Sequence, residues 1–222
     1  MSIFDSFLKK KQQPHGVITY YWGKVVAKAL RSGDDTGSYM YNNKCERPDC
    51  CPICHNTLKH IPNKFSKLHS KDDICVTLDG YYIISEKFYN FCKEGNYQNL
   101  RIIPLESSKG FYFFEPIDIF GLDYEFCGTK FINKRDCCGS YDEVIRPSVI
   151  KAKDYNIESN DFIMQAKYYF GSHDKKNIII IVGTETAKKM KAYGLKGILF
   201  KNIYSQDNLK VIKKEINKIV LD

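Results

Sequence analysis

The pattern of apolar and polar residues predicts short strands and helices along this chain of 222 residues. The β-forming residues from Val17 to Trp22 follow Pro14 and Gly16, which is typical of a strand that begins after a turn. Near the other end, apolar residues recur at helical spacing over residues 208–221. That spacing predicts an amphipathic C-terminal helix packed on the core. Residues 1–13 are expected to form a short amphipathic helix or a loose arm.

A strand–helix–strand pattern occurs twice. Its three elements are predicted at residues 81–84, 85–95 and 100–103 in the first copy and at residues 178–182, 184–194 and 197–200 in the second. Ser85 and Gly95 bound the first helix, and Thr184 and Gly194 bound the second at the same spacing. A hydroxyl side chain can cap a helix start, and glycine permits the left-handed turn that ends one. The match is consistent with a duplication and also with chance recurrence of a common unit.

These elements predict a mixed α/β fold of the α+β class, with two similar strand–helix–strand units, a cysteine-rich insertion resembling a zinc knuckle, and a C-terminal helix. Hydrophobic residues make up 43% of the chain, enough to bury a sizeable core. We expect residues 1–222 to form a single compact domain. Within it, residues 45–75 and 127–140 form the cysteine-rich subregion, residues 76–126 the first unit and residues 141–222 the second.

The distribution of charge and apolar residues bears on location and partners. The net charge is +8, with a positive excess at both ends and a negative excess over residues 71–150. Such a total suits either nucleic-acid binding or a lysine-rich solvated surface, and the lack of an arginine-rich run favours the surface. The lysines at 9–11 follow the short N-terminal apolar stretch, the reverse of a secretory signal. Because the longest aliphatic run covers only residues 178–182, we expect a cytoplasmic protein without membrane contact.

The nine cysteines indicate a metal site rather than disulfides. An odd number of cysteines in a chain without a secretory signal argues against a disulfide scaffold. Cys51 and Cys54 have the C-x-x-C spacing, at which two sulfurs can bind one tetrahedral Zn²⁺ at about 2.3 Å. Cys137 and Cys138 form a second group in a loop-like segment. We therefore predict a structural zinc bound by these four cysteines.

The sequence also allows other metal ligands at this site. Arg135 stands where a second knuckle would have its first cysteine, so Cys45 or Cys127 could replace Cys137 as the fourth ligand. His55 and His60 lie near the first knuckle and could also bind metal. A redox C-x-x-C is disfavoured, because its flanks read as loop rather than as a strand and a helix start. Two other cysteines have apolar surroundings and are predicted to be buried in the core: Cys75 and Cys92.

A search for an active site finds no phosphate-binding loop, nucleophile elbow or zinc-protease motif. The chain is therefore predicted not to be an enzyme. Several acids follow one another in the negative middle segment: Glu106, Glu115, Asp118, Asp123 and Glu125. Beside the aromatic residues 111–114, they could form a surface that binds a basic partner, or they could keep a solvated edge soluble while the aromatics point inward.

Together these motifs resemble the double Cys-x-x-Cys-Gly immunity proteins of bacterial polymorphic toxin systems. The matching segments lie between residues 45 and 203, at 51–54, 83–88, 103–105, 138–139 and 194–200. The chain departs from the pattern at His55, which replaces a glycine, and at Arg135, which replaces a cysteine. The resemblance implies a cytoplasmic protein that binds a cognate toxin and blocks it sterically. The alternatives are a zinc-ribbon nucleic-acid-binding protein and an enzyme with an unrecognised site.

Overall fold

The computed structural model describes residues 17–33, 36–41, 47–147, 150–153, 157–205 and 210–215. Strands predominate among them. The strands are β1 (Val17–Trp22), β2 (Val25–Ser32), β3 (Ile74–Val76), β4 (Tyr82–Ser85), β5 (Leu100–Pro104), β6 (Phe111–Pro116), β7 (Lys130–Lys134), β8 (Tyr141–Ile145), β9 (Ile150–Lys151), β10 (Ile163–Gln165), β11 (Phe170–Ser172), β12 (Lys175–Asn177), β13 (Ile180–Gly183), β14 (Ile198–Tyr204) and β15 (Lys210–Glu215). The helices within these ranges are α1 (Glu86–Glu94) and α2 (Thr184–Ala192), and neither is long and apolar enough to cross a membrane.

The strands form three larger sheets and one two-stranded ribbon. Their strand orders are β10-β13-β2-β14-β9, β3-β4-β6-β5, β12-β11-β8-β7 and β1-β15. Neighbouring strands are antiparallel except for β14 and β9, which are parallel. The predicted α+β class built from two strand–helix–strand units is therefore wrong, because the chain is mostly β. The two helices have only nine residues each, and most of the described chain pairs into antiparallel sheets.

The predicted C-terminal helix is also wrong where the structure describes it. Residues Lys210–Glu215 form β15, which pairs antiparallel with β1. Val211 and Ile212 are β-branched, and such residues favour a strand once a partner strand is present. The strand prediction for Val17–Trp22 is confirmed, since these residues form β1. The rest of the predicted terminal helix and the N-terminal residues 1–13 lie outside the described residues.

Each helix connects two strands that lie on either side of a third. Helix α1 joins β4 to β5, with β6 paired between them, and α2 joins β13 to β14, with β2 between them. Ser85 caps α1, because its hydroxyl accepts a hydrogen bond from the Phe88 amide at 3.2 Å. Gly183 precedes α2 without a side-chain cap. Both helices therefore cross from one side of a middle strand to the other.

The five-stranded sheet is buried on both faces. On one face, Ile180 and Val182 pack with the apolar sides of α1 and α2 in a cluster that includes Phe88 and Met190. On the other face, Ile181 belongs to a second cluster with residues from β2, β9 and β14. Burial on both faces explains why β13 is part of a continuous aliphatic run instead of alternating apolar and polar residues. The first cluster joins residues from both of the predicted units.

Candidate metal centre

The four cysteines predicted as ligands lie together in the structure. The Sγ atoms of Cys51, Cys54, Cys137 and Cys138 all lie within 4.8 Å of one another. The Cys51–Cys137 and Cys54–Cys138 sulfur pairs are 3.9 and 3.6 Å apart. Four sulfurs bound tetrahedrally at 2.3 Å would be separated by about 3.8 Å, whereas a disulfide needs about 2.05 Å. The group therefore has the spacing to bind one tetrahedral metal ion.

The first knuckle, residues 51–56, is a tight turn stabilised by hydrogen bonds between its own backbone groups. The Cys51 amide donates to the Asn56 carbonyl at 2.9 Å, and the His55 amide donates to the Cys51 carbonyl at 2.9 Å. His55 has a φ of 58°, in the left-handed region that favours glycine. A glycine would adopt this conformation without strain, so His55 takes a backbone geometry that is usual for glycine. The backbone N–H groups of Cys54 and Ile53 lower the pKa of the Cys51 thiol to about 7.

The second knuckle, residues 135–140, forms the turn between β7 and β8 and repeats the hydrogen-bond pattern of the first. The Arg135 amide donates to the Ser140 carbonyl, and the Gly139 amide donates to the Arg135 carbonyl, both at 2.7 Å. Gly139 has a φ of 71° and corresponds to His55. By the same correspondence, Arg135 occupies the position of Cys51 in the first knuckle, and Cys138 occupies the position of Cys54. The two loops are thus equivalent in backbone geometry despite their different sequences.

The fourth sulfur comes from a shifted position in the second knuckle. Cys137 corresponds to Ile53 at the tip of the first turn, yet its Sγ lies within the four-sulfur group. The side chain of Arg135 instead pairs with Asp142, through Nε to Oδ1 at 2.7 Å and Nη2 to Oδ2 at 2.6 Å. A bidentate pair of this kind holds the arginine in a fixed orientation. Cys137 thereby brings into the group the fourth sulfur that Arg135 cannot supply.

The alternative ligands do not join the group within the described residues. The Sγ of Cys127 is buried and accepts a hydrogen bond from the Lys151 amide at 3.2 Å. His60 is also buried, with Nε2 at 2.9 Å from the Lys176 carbonyl, and burial lowers its pKa to about 4. His55 is exposed at the knuckle turn and is not part of the group. Cys45 lies outside the described residues.

A buried carboxylate connects the two knuckles. Asp142 is the second residue of β8, beside the second knuckle. It accepts a hydrogen bond at 3.0 Å from the side-chain amide of Asn56, at the end of the first knuckle. Hydrogen bonds from Arg135 and Asn56 lower the pKa of Asp142 to about 2, so it is ionised at neutral pH. The Thr57 amide adds a backbone contact by donating to the His173 carbonyl at 3.0 Å. The Asn56–Asp142 contact therefore links the two knuckle loops directly, and the Thr57 contact attaches the first loop to the turn between β11 and β12.

A buried lysine lies beside the cluster. Lys176 in β12 is 1% exposed, and its ammonium group donates to the Tyr141 carbonyl and to Oδ1 of Asn56. Burial lowers its pKa, while Asp142 and the thiols of Cys54 and Cys138 oppose that shift. Four thiolates around a divalent ion carry a net charge of about −2. A buried cation at this position would offset part of that charge.

A second charged network anchors the segment that leads into the first knuckle. Arg47 binds Asp49 bidentately, with Nε–Oδ1 and Nη2–Oδ2 distances of 3.0 Å. The Tyr81 hydroxyl donates to the same carboxylate, and the Arg47 guanidinium donates to the Asp174 carbonyl. The side chains of Arg47 and Asp49 are 1% and 0% exposed. This network attaches the approach to the knuckle to the turns after β3 and β11.

The acids predicted to bind a partner have different surroundings. Glu115 is buried and pairs with Arg101 at 2.9 Å, and Asp123 pairs with Lys151 at 2.9 Å. The remaining three are more accessible, with two exposed and one half-buried: Glu106, Glu125 and Asp118. Phe113 and Phe114 are buried, whereas Phe111 and Tyr112 are half-buried, so only part of the aromatic run points inward.

The polar residues that support the site had no recognisable signal in the sequence. Asn56, Asp142 and Lys176 are buried although their residue types are usually exposed. Only their short distance in sequence from the cysteines associates the first two with the knuckles. Cys75 and Cys92 are buried in the core, as predicted.

Comparisons with known proteins add no family assignment. No protein-family model matches this chain, and no curated protein matches it. The resemblance to immunity proteins therefore stays a prediction carried by the motifs.

Proposed function

We propose that this chain is an immunity-type protein that binds a cognate bacterial toxin and blocks it sterically, with a structural zinc ion joining its two knuckles. The observation that supports the proposal most is the equivalence of the two turns. The immunity-protein motif has two Cys-x-x-Cys-Gly segments, and this chain has two turns of one geometry with left-handed residues at His55 and Gly139. The two departures from the motif are compatible with this geometry, because His55 adopts the left-handed conformation of the missing glycine and Cys137 provides a sulfur in place of the missing cysteine at position 135.

Zinc is the metal that suits this donor set best. Four thiolates in tetrahedral arrangement are typical of zinc or of iron–sulfur chemistry, and Cys₄ sites in loops are common among structural zinc sites. Catalytic zinc sites keep one coordination position open for water or substrate. Four sulfurs would fill every position of a tetrahedral ion, so we infer that the ion is structural and takes no part in catalysis.

The surface around Asp118 is our candidate for binding the toxin. Ile117 and Ile119 flank Asp118 in the sequence and are 57% and 51% exposed. The surface therefore presents two apolar side chains on either side of an acid. Two hydrogen bonds with Asn99 hold the segment in place. The Asn99 backbone carbonyl accepts from the Ile117 amide at 2.8 Å, and its side-chain amide donates to the Asp118 carboxylate at 3.0 Å. Apolar anchors on a preorganised segment are favourable for tight association, and an acid among them steers a basic partner.

Replacing Asp118 with lysine is expected to slow association with the toxin by about tenfold at low salt, because it converts attraction to a basic partner into repulsion. The measurement is the association rate with the purified product of the neighbouring gene, by biolayer interferometry. Glu185→Lys is the matched control: it makes the same charge change on α2, where Glu185 pairs with Lys188 on the surface.

The same experiment tests the function itself. We expect co-expression of the chain to protect cells from that gene product. Failure to bind it and to protect would contradict the immunity proposal. Binding with an unchanged association rate for Asp118→Lys would reject only the Asp118 surface. Steeply salt-dependent DNA or RNA binding would instead favour the nucleic-acid alternative.

A further inference from the structure

The four cysteine residues of the metal centre differ in their exposure to solvent. Cys51 is 3% exposed, and Cys54 and Cys138 are half-buried. Cys137 is exposed. Its exposure follows from its position, since the corresponding tip residue of the first knuckle, Ile53, is 73% exposed. The shift of the fourth sulfur from position 135 to position 137 therefore places one cysteine of the group on an exposed residue at the tip of a turn.

Access decides which ligand reacts once a metal is bound. A coordinated cysteine is a thiolate, the form that reacts with electrophiles. All four ligands share this state in the metal-bound centre, so ionisation does not distinguish them. Cys137 is the most exposed of the four residues, so we expect its sulfur to be the one that a small oxidant in solution reaches first.

We propose that Cys137 is an oxidation site, and that a hydroperoxide joins it to Cys51 by a disulfide and thereby releases the metal. The proposal rests on the zinc centre of the proposed function. The Sγ atoms of these two cysteines are 3.9 Å apart, so a modest approach brings them to bonding distance. The two residues are 86 positions apart in the sequence, so the bridge would connect the same two knuckles as the metal.

The reaction balances with one hydroperoxide as the oxidant. The Cys137 thiolate attacks a peroxide oxygen, and the O–O bond breaks. Hydroxide or alkoxide departs, and Cys137 becomes a sulfenic acid. The Cys51 thiolate then attacks that sulfur, the S–O bond breaks, and a second hydroxide leaves as the S–S bond forms. Two electrons pass from the two thiolates to the peroxide, and water or buffer supplies protons to the leaving groups. The metal loses two of its four ligands and dissociates.

Peroxide titration of the zinc-loaded protein tests the proposal. We expect hydrogen peroxide to release about one zinc per chain to a chromophoric chelator, with a loss of two hydrogen atoms per chain by mass spectrometry. Peptide mapping should place the disulfide between Cys51 and Cys137. Zinc that stays bound, or a first disulfide that lacks Cys137, would overturn the proposal. Zinc is measured before oxidant is added, and its absence at that stage would reject the metal centre and this proposal together.

A double variant relocates the reactive ligand. Arg135→Cys with Cys137→Ser moves the fourth sulfur from the tip of the turn to the backbone position that corresponds to Cys51. We expect this variant to bind zinc and to release it to peroxide more slowly, by about tenfold or more, because the thiolate at the tip of the turn is gone. Cys92→Ala, which removes a core cysteine outside the centre, should release zinc at the wild-type rate. Release from the zinc-loaded double variant at the wild-type rate would overturn the proposal, and the wild-type disulfide map decides it if the double variant fails to fold.

Discussion

Replacing Cys51 and Cys54 together with serine is expected to abolish metal binding and to destabilise the protein by several kcal/mol. Structural zinc binding contributes about 10–16 kcal/mol in zinc-finger peptides, and part of that free energy is coupled to folding. Serine hydroxyls stay protonated at neutral pH and do not replace thiolates. The measurement is zinc content by elemental analysis, together with the free energy of unfolding from denaturant titration under reducing conditions.

The control for this variant is a cysteine outside the centre. Cys92 in α1 is 2% exposed and belongs to the apolar core, away from the four-sulfur group. Cys92→Ala should lose about 1 kcal/mol of packing and keep its full zinc content. If the double serine variant keeps the metal, or matches Cys92→Ala in both metal content and stability, the four-sulfur group is not a folding metal site.

Arg47→Ala is expected to destabilise the protein by about 3–5 kcal/mol, because it leaves the fully buried Asp49 carboxylate without its cation. Asp79 would also lose a nearby positive charge, since Nη1 of Arg47 lies 3.9 Å from its Oδ2. The approach to the first knuckle should loosen as a result. We therefore expect a lower zinc affinity in addition to the lower free energy of unfolding, measured by competition with a chelator of known affinity.

A surface ion pair provides the comparison for Arg47. Lys188 is 75% exposed and pairs with Glu185 at 3.1 Å one turn away on α2. Exposed pairs of this kind contribute about 0–1 kcal/mol, so Lys188→Ala should leave stability and zinc affinity nearly unchanged. An Arg47→Ala variant as stable as Lys188→Ala would show that the buried network does not anchor the knuckle.

Local spacing in the sequence predicted individual elements better than their arrangement. The strand β1 and the Ser85 cap of α1 depend on neighbouring residues, and sequence patterns report those. Sheet membership depends on hydrogen bonds between distant segments. Strand β2 is the clearest example, because it lies between β13 and β14 at the middle of the largest sheet and had no prediction of its own. The α+β class was therefore wrong although both helices begin within one residue of the predicted positions.

The same distinction applies to the candidate site. The C-x-x-C spacing and the Cys137–Cys138 pair indicated a metal site, because the reach of a thiolate from one turn is a local property. The choice between Cys137, Cys127 and Cys45 could not be made, since it depends on which loops the fold brings together. Arg47 and Lys176 were not predicted either, because charged residues are usually exposed and their burial requires partners from distant strands.

X-ray absorption at the zinc edge, on protein purified under reducing conditions, tests the metal centre most directly. Four cysteine ligands predict a first shell of four sulfurs at about 2.3 Å, with no lighter ligand. Protein that contains no zinc would contradict the centre. A first shell that includes nitrogen or oxygen at about 2.0–2.1 Å would contradict the assignment of Cys51, Cys54, Cys137 and Cys138 as its four ligands.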